Sequence, residues 1–411
     1  MEKCFLDSQK EKSVSAPEEM NRMVPVIHPE RYRLNPDREY AFKSAWKTAL
    51  VKAFDRFGAL FFKPPLAPID WKSVKKVAVL RLDQLGDVIL ALPVLEALTE
   101  ALPHAQVDFV VEPAAKALVE MAPLKVHIRC FNAPWLSKSK PRFFPLKAVA
   151  DFTAFLKEGG YDAVIDLRGD FHHILAMKGA KVPFRIGRGI TGGGFWLTRP
   201  IRRQPGLHEI EQNLDLLKKA GVVFSDGKKN PRLFPGEESD RKQAAQQSSM
   251  GPGREVVAIH ATCTASAKRW PANYWRQLIG KIPVNFDVVI VGAKNEKADI
   301  EAIFKEGGRK VVIAAGLFRL PELAAFLKQC KLFVGVDSGP AHIAAAVGTP
   351  VVSIFSGTNN SAQWAPRGAQ VSIVHQHTEC SPCERAECPL NNECMRQIEV
   401  EAVWLAAKAY L

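Results

Sequence analysis

The chain has 411 residues, of which 47% are hydrophobic, and its 56 Lys and Arg against 43 Asp and Glu give a formal net charge of +13. This length is too great for one ordinary hydrophobic core and predicts two domains of roughly 150–200 residues each, and the hydrophobic content excludes a disordered chain. The basic excess indicates an anionic partner, which could be nucleic acid, acidic lipid or a phosphorylated substrate.

The amino-terminal segment is polar and lacks the apolar stretch of a secretory signal. The longest apolar run, at 343–355, is shorter than the roughly 20 residues that a membrane-spanning helix needs, and Gly-Thr-Pro interrupts it. We therefore expect a cytosolic protein whose eight cysteines are mostly reduced thiols or metal ligands. Loose packing or disorder is expected for residues 1–40.

Residues 41–63 predict an amphipathic helix that is both aromatic and basic. Its large apolar side chains recur every three or four residues: Phe42, Trp46, Leu50, Phe54, Phe57 and Phe61. Its basic residues are Lys43, Lys47, Lys52, Arg56 and Lys63, against the single acid Asp55. Such a helix suits the surface of an anionic membrane. The alternative is that its aromatic face packs against the main body of the protein.

From residue 74 onward, strands and helices alternate in two series. The first has predicted strands at 76–81, 107–111, 126–130 and 162–167, and helices at 87–102, 113–121, 145–158 and 208–220. The second has strands at 255–260, 287–292, 310–314, 332–336 and 350–355, and helices at 272–281, 295–305, 320–329 and 340–347. A polar, turn-rich segment at 224–255 is expected to hold the crossing between them. Two such series predict two doubly wound, parallel α/β lobes with a cleft between them.

The first candidate site follows the first strand, in the segment KKVAVLRLDQLGDVILALPVLEAL at 75–98. Asp87 is predicted at the start of the next helix, where we expect the macrodipole to keep its carboxylate ionised at neutral pH. Open α/β sheets bind ligands at the carboxyl ends of their strands, which favours a functional role for Asp87. The alternative is that Asp87 only caps the helix.

Two motifs of the second series suit a phosphate or diphosphate. In 258–278, hydroxyl-bearing residues and Lys268 follow the strand that ends at His260; a solvated loop is the alternative. In 332–355, a strand leads into a helix whose first N–H groups can bind an anion. The residues expected at that helix start are Asp337, Ser338, Gly339 and His342. Taken alone, His342 would more often be a core residue.

Basic stretches in the first series are candidate contacts for an anionic acceptor, with solvated loops as the alternative. One stretch, at 135–143, holds Lys138, Lys140 and Arg142. The other, at 184–203, holds Arg185, Arg188, Arg199, Arg202 and Arg203.

Four cysteines fall within fifteen residues near the carboxyl end: Cys380, Cys383, Cys388 and Cys394. The first pair has the C-x2-C spacing of metal ligands, but the later spacings match no common zinc pattern. A structural metal, a redox-labile pair and reduced packing thiols all stay open.

In this order, the three motifs resemble the lipopolysaccharide heptosyltransferases, which are inverting glycosyltransferases with the two-lobed GT-B fold. The resemblance covers about residues 74–400 and is carried by RLDQLGDVILALP, by HAT…KRWP…YW..LIG and by VGVDSGPAHIAAA. It implies an acceptor-side Rossmann-like lobe at 71–235, a donor-binding lobe at 245–395 and a carboxyl-terminal helix at 396–411. The amino-terminal extension, 1–70, departs from the family's usual pattern.

The resemblance also implies a role for each matched residue. Asp87 would be the general base that deprotonates the acceptor hydroxyl, and Lys268 would bind donor phosphate and offset the charge of the leaving group. The further implied donor contacts are Thr262, Cys263, Thr264, Glu296, Asp337, Ser338, Gly339 and His342, with Glu296 near the ribose or sugar. Apart from the resemblance, the basic residues Lys138, Lys140 and Arg142 are the expected contacts if the first lobe meets an anionic acceptor.

The implied donor is ADP-heptose, and the implied acceptor is Kdo-bearing lipid A or a heptosylated inner core at the cytosolic face of the inner membrane. No D-x-D motif occurs, so a metal-chelated diphosphate is not required. A family member that uses another nucleotide sugar and a non-catalytic nucleotide-sugar binding module are the alternatives. A nucleic-acid binder rests on charge alone, because no recognition helix, finger or stacking motif is visible.

Overall fold

The computed structural model describes residues 40–42, 44–62, 68–136, 144–225, 227, 230–237, 254–306 and 308–411. In chain order, the elements of its first half are α1 (Ala45–Phe61), β1 (Lys76–Arg81), α2 (Leu85–Ala101), β2 (Gln106–Val111), α3 (Lys116–Val119), β3 (His127–Cys130), α4 (Leu146–Gly159), β4 (Ala163–Asp166), α5 (Phe171–Gly179), β5 (Phe184–Gly187), β6 (Arg199–Pro200) and α6 (Glu209–Lys219). The strands form one parallel sheet in the order β3-β2-β1-β4-β5-β6.

The second half repeats this plan. Its elements are β7 (Glu255–His260), α7 (Ala272–Lys281), β8 (Phe286–Ile290), α8 (Lys297–Phe304), β9 (Val312–Ile313), α9 (Leu320–Gln329), β10 (Leu332–Val336), α10 (Gly339–Ala346), β11 (Val351–Phe355), α11 (Ser361–Trp364), β12 (Val371–His375), α12 (Glu393–Arg396) and α13 (Val400–Lys408). The sheet order is β12-β11-β10-β7-β8-β9, again parallel.

The strands at the centre of each sheet are the most apolar. In β1, every residue from Val77 to Arg81 is buried, and all five residues of β10 are buried. Parallel sheets are covered on both faces, so their central strands read as continuous apolar runs rather than as alternating patterns. This burial explains why both strands were predicted at their observed bounds.

The two lobes share a hydrophobic contact. Val88 and Leu92 of α2 belong to the same buried cluster as Ile343 and Ala344 of α10. Each of these helices follows the central strand of its own sheet, so the contact brings the carboxyl ends of β1 and β10 to the same region. The predicted pair of facing α/β lobes is therefore confirmed, while the limits assigned to the domains stay a prediction.

The helix α1 docks on the first lobe through a narrow face. Asp55 Oδ1 accepts a hydrogen bond from the Gly193 backbone N–H at 2.7 Å, and the Tyr40 hydroxyl donates to Asp55 Oδ2 at 2.9 Å. Gly58 lies directly against the ring of Phe195, where no side chain would fit. No helix of the described residues is long and apolar enough to cross a membrane.

The alternative in which the aromatic face of α1 packs against the body is wrong for most of that face. Its large side chains Trp46, Leu50, Phe57, Leu60 and Phe61 keep 63–72% of their surface exposed. Phe54 is the aromatic residue of α1 that contacts the body, with its ring centroid 5.3 Å from that of Phe195. The helix thus packs through Phe54, Asp55 and Gly58, and the rest of its aromatic face is exposed.

Candidate active site

Asp87 lies in the first turn of α2, at the carboxyl end of the central strand β1. The helix begins at Leu85 with Gln84 as its N-cap, so the alternative in which Asp87 caps the helix is wrong. Asp87 Oδ1 instead accepts a hydrogen bond from Arg81 Nη2 at 2.7 Å, and its side chain keeps 19% of its surface exposed. The carboxylate is therefore oriented by a buried arginine and still reachable from the cleft.

Arg81 is surrounded by three carboxylates. Its guanidinium is 2% exposed, and besides Asp87 it meets Glu209 Oε1 at 3.2 Å from Nη1 and Asp83 Oδ2 at 3.8 Å from Nε. A third hydrogen bond runs from Nη1 to the carbonyl of Leu167 at 3.1 Å. Arg168 and Arg203 also pair with Asp83 and Glu209, so Arg81 is the cation that orients Asp87.

The surroundings of Asp87 change the protonation of this candidate base. Burial, and then the charges of Asp83 and Glu209, raise the pKa of Asp87 to about 7, although Arg81 acts in the opposite direction. The expectation that the helix macrodipole keeps Asp87 fully ionised at neutral pH is therefore wrong. A carboxyl group with a pKa near 7 is matched to proton transfer at neutral pH.

Two charged residues of this cluster were not found from the sequence. Although burial opposes it, Arg81 and Arg203 hold the pKa of Glu209 below its usual range, so Glu209 is ionised. Its other oxygen, Oε2, accepts a hydrogen bond from Gln363 Nε2 of the second lobe at 3.2 Å. Arg168 Nη1 lies 2.5 Å from Asp83 Oδ1. Neither pairing leaves a local signal, because the partners lie far apart in the chain.

The amino terminus of α10 faces that of α2 across the cleft. A Cβ atom on Gly86 would lie 3.0 Å from His342 Cδ2, and one on Gly339 would lie 3.6 Å from Leu85 Cβ. Gly86 is thus the glycine that lets the two helices approach beside Asp87. His342 is buried, and burial lowers its pKa to about 4, so its ring is neutral at pH 7.

Lys268 and Asp337 form the charged part of the second lobe's side of the cleft. Lys268 Nζ donates to Asp337 Oδ2 at 2.5 Å, and Asn359 Nδ2 donates to the same oxygen at 2.7 Å. Asp337 directly follows β10, and Lys268 ends the 3-10 turn Ser266–Lys268. The structure thus brings together two of the residues predicted to hold donor phosphate, and adds Asn359.

A second polar group centres on His260, the last residue of β7. His260 Nδ1 lies 2.9 Å from Ser338 Oγ, and His260 Nε2 lies 3.5 Å from both Glu296 Oε2 and Thr262 Oγ1. Although burial opposes it, the hydrogen bond with His260 lowers the pKa of Glu296 to about 2. Glu296 is therefore an ionised acceptor at neutral pH, suited to binding hydroxyl groups.

Other predicted contacts are less well supported by geometry. Thr264 is exposed. Cys263 Sγ donates to the carbonyl of Ala265 at 3.1 Å, and burial raises the thiol pKa to about 11. The acceptor candidates Lys138, Lys140 and Arg142 lie outside the described residues.

Two arginines of the other basic stretch are structural, so the proposed acceptor role is wrong for them. Arg185 donates to the carbonyls of Trp196 and Val182. Arg188 is 2% exposed and bonds the carbonyl of Gln212 and the side chain of Asn213. Arg185 thus ties β5 to the segments on either side of it, and Arg188 ties the end of β5 to α6.

The family described as glycosyltransferase family 9 (heptosyltransferase) matches residues 149–393, which is more than half of the chain. The chain belongs to this family. It is therefore a glycosyltransferase, and the resemblance drawn from the three motifs is confirmed.

Individual proteins similar to this family 9 enzyme are also heptosyltransferases. It is 27% identical over 290 residues to lipopolysaccharide heptosyltransferase 3 of Escherichia coli K12, a match that covers 68% of this chain and 82% of that protein. It is 27% identical over 302 residues to lipopolysaccharide heptosyltransferase 1 of the same strain, covering 69% and 88%.

Solved structures share the fold of the family 9 enzyme. A family 9 glycosyl transferase from Veillonella parvula superposes with a TM-score of 0.68 at 20% identity, over 84% of this chain and 98% of that one. Escherichia coli ADP-heptose lps heptosyltransferase II superposes with a TM-score of 0.65 at 18% identity, over 82% and 98%. The predicted fold class is thus confirmed.

The cysteine cluster of the family 9 enzyme shows no metal-binding geometry. None of Cys380, Cys383, Cys388 and Cys394 forms a disulfide bond, and Cys394 Sγ accepts a hydrogen bond from the Gly357 N–H at 3.2 Å. Among the described residues, no three His, Cys, Asp or Glu side chains are grouped to hold a metal ion.

A cavity of about 470 Å³ opens in the second lobe. Thr262 is the one predicted donor contact among its lining residues; Trp270, Asp299 and Asn392 are also part of its wall. The cavity therefore adjoins the polar group around His260 rather than containing it.

Proposed function

We propose that this enzyme transfers heptose from ADP-heptose to the Kdo or inner-core region of lipopolysaccharide, with inversion at the anomeric carbon. The observation that carries the proposal is the close approach of Gly86 to His342. It brings the carboxyl group of Asp87, whose pKa is about 7, near the amino terminus of α10, where Lys268 pairs with Asp337. The names of the relatives, lipopolysaccharide heptosyltransferases 1 and 3, support the choice of sugar and acceptor.

In the proposed mechanism, Asp87 accepts the proton of the attacking acceptor hydroxyl. The hydroxyl oxygen forms a bond to the anomeric carbon while the bond from that carbon to the diphosphate oxygen breaks on the opposite face, and ADP leaves. Arg81 orients the carboxylate through its 2.7 Å hydrogen bond. General-base catalysis of this kind contributes about 10²–10⁴ to the rate.

The leaving diphosphate is proposed to lie between Lys268 and the amino terminus of α10. A helix terminus presents free N–H groups and a partial positive charge, and Lys268 adds a full charge where negative charge develops. Lys268 is paired with Asp337 in the structure, so the donor phosphate would share this lysine. Asn359 continues to hold Asp337 through its 2.7 Å hydrogen bond.

The remaining donor contacts follow from the group around His260. We propose that Glu296, ionised at neutral pH, accepts hydrogen bonds from hydroxyls of the ribose or the sugar, with Thr262 and Ser338 nearby. The backbone around Gly339 and the neutral ring of His342 would contact the sugar or the diphosphate. Cys263 and Thr264 are kept as weaker candidates.

The acceptor would bind on the first lobe, beside Asp87. Lys138, Lys140 and Arg142 are the proposed contacts for its anionic groups, and we add Arg168, which lies next to Asp83 with 34% of its side chain exposed. An acceptor of lipid A type also implies that the enzyme works at the cytosolic face of the inner membrane, as a peripheral protein.

The test is to incubate the protein with ADP-heptose and defined lipid A cores, and to weigh the products by mass spectrometry. The proposal expects a product that is heavier than the acceptor by one heptose residue. It also expects the release of one equivalent of ADP for each product formed. If transfer occurs only from a different nucleotide sugar, the enzyme belongs to the same family but uses another donor. If the protein binds ADP-heptose tightly and releases no ADP, it is a binding module.

A further inference from the structure

One exposed surface of the enzyme is apolar and takes no part in the proposed reaction. It is a stripe along α1 formed by the exposed side chains Trp46, Leu50, Phe57, Leu60 and Phe61. Their positions, three, four or seven residues apart, place them along one side of the helix. Single exposed apolar residues are ordinary, but a contiguous row of large ones marks an interaction site.

The fold of the protein does not need this stripe. The opposite side of α1 makes the contacts that hold the helix, through Asp55 and Gly58. Phe54, at the margin, completes the attachment against Phe171, Phe195 and Trp196. The helix is therefore held in place with its large side chains turned outward.

The apolar surface continues onto the first lobe. Phe144, 45% exposed, and Leu146, 73% exposed, stand at the start of α4. Phe144 and Phe54 both contact the ring of Phe171, with centroid distances of 6.3 and 6.1 Å. These residues thus adjoin α1, and together they present a broader apolar face than the helix alone.

The charges around the stripe select one kind of partner. Lys47, Lys52 and Arg56 are exposed on α1, and the single acid of this helix, Asp55, is turned inward to Gly193. Aromatic side chains between basic residues fit a bilayer surface, where the rings enter the headgroup region and the cations meet lipid phosphates. A second copy of the chain would bring like charges together, which disfavours a dimer.

We propose that α1, with Phe144 and Leu146, is the surface by which this enzyme binds an anionic lipid bilayer, with the stripe inserted at the boundary between headgroups and acyl chains. The purpose of this surface rests on the proposed function, because a lipid-anchored acceptor is presented in the plane of a membrane. The binding itself needs neither donor nor acceptor.

The test is co-sedimentation of the full chain with vesicles of phosphatidylethanolamine and phosphatidylglycerol, compared with pure phosphatidylcholine. The stripe variant is Trp46→Gln, Leu50→Gln, Phe57→Gln, and the charge variant is Lys47→Gln, Lys52→Gln, Arg56→Gln. The matched control is Val223→Gln, Val284→Gln, Leu405→Gln, which removes three apolar side chains that are 87%, 84% and 63% exposed elsewhere. All three variants change only exposed side chains.

The wild-type protein and the control are expected to bind the anionic vesicles equally, within about twofold. The partition coefficient of the stripe variant should fall at least about tenfold, because it buries less apolar surface in the bilayer. The charge variant should also fall at least about tenfold, because each basic residue near an anionic surface contributes about fivefold. Binding to phosphatidylcholine should be weak for every protein.

The proposal is overturned if the wild-type protein does not co-sediment with anionic vesicles. It is also overturned if the stripe variant binds these vesicles as well as the control does. A wild-type dimer that the stripe substitutions dissociate in sedimentation equilibrium overturns it as well. With a water-soluble core oligosaccharide as acceptor, the stripe variant should keep the wild-type rate within about twofold. Wild-type protein that binds anionic vesicles but transfers no heptose supports the surface and overturns the proposed function.

Discussion

The substitution Asp83→Asn tests whether the charges around Arg81 set the pKa of the base. Asp83 and Asp87 share one guanidinium, at 3.8 Å and 2.7 Å, and the charge of Asp83 is the largest charge effect that raises the pKa of Asp87. Two unit charges a guanidinium's width apart interact by about 1–3 kcal/mol at an effective dielectric constant of 20–40. This corresponds to about 1–2 pKa units.

The sign follows from the role of Asp87 as a base, which must be ionised to act. Activity should therefore fall as pH drops below the pKa of about 7. Removing the charge of Asp83 favours the ionised form, so the acidic limb of the kcat/KM profile should move to about pH 5–6. At pH 6, about 10% of the base is ionised at a pKa of 7 and about half or more in the variant, a gain of about five- to ninefold relative to the plateau.

The assay is ADP release measured from pH 5 to 9 under identical substrate conditions, so that titration of the substrates is the same for both proteins. Asp151→Asn, which removes an exposed carboxylate paired with Lys147, is the matched control and should leave the limb in place. An Asp83→Asn limb that stays near pH 7, or that moves to higher pH, would refute the reasoning.

Three further outcomes are expected. Lys268→Ala should lower kcat by about 10²–10³, whereas Lys297→Ala, which removes an exposed lysine, should leave it unchanged; equal rates would contradict the role of Lys268. Arg81→Met should cost about 3–5 kcal/mol in the free energy of unfolding by urea, because it leaves the Asp87 carboxylate without its cation. A loss under 1 kcal/mol, as expected for the exposed pair lost in Arg232→Met, would count against this. The folded-state pKa of His342 lies below its unfolded value, so the protein loses stability as pH falls from about 6.5 toward 4. Between pH 7 and 5, the free energy of unfolding by urea should therefore fall by about 2 kcal/mol less for His342→Gln than for wild type. Equal falls for the two proteins would contradict the lowered pKa of His342.

The sequence was most informative where a local rule decides the structure. The central strands β1, β7 and β10 were predicted at their observed bounds, because a strand buried on both faces is a continuous apolar run. The helix α5 and the strands β5, β6 and β12 were not predicted. Strand β5 (FRIG) carries an arginine and is buried only at its last two residues, and β6 (RP) is a two-residue strand at the edge of the sheet, so neither is a continuous apolar run.

Interactions between distant segments were beyond the reach of sequence patterns. Asp87 could be selected from its position after a strand, but its pKa depends on Glu209, which reaches Arg81 from 128 positions along the chain. The docking of α1 was likewise unpredictable, because it depends on Gly58 fitting the ring of Phe195 rather than on the aromatic periodicity. Both features arise only when the lobe is assembled.

The central claim is that Asp87 removes the proton of the acceptor, and the direct measurement is the single-turnover rate of Asp87→Asn with ADP-heptose and a defined core acceptor. The neutral amide keeps the shape of the side chain but cannot accept a proton as the carboxylate does. We predict a rate about 10²–10⁴ lower than wild type, with the dissociation constant for ADP-heptose within about twofold. An Asp87→Asn enzyme that transfers heptose at a rate near that of the wild type, with the acidic limb still at pH 7, would contradict the account.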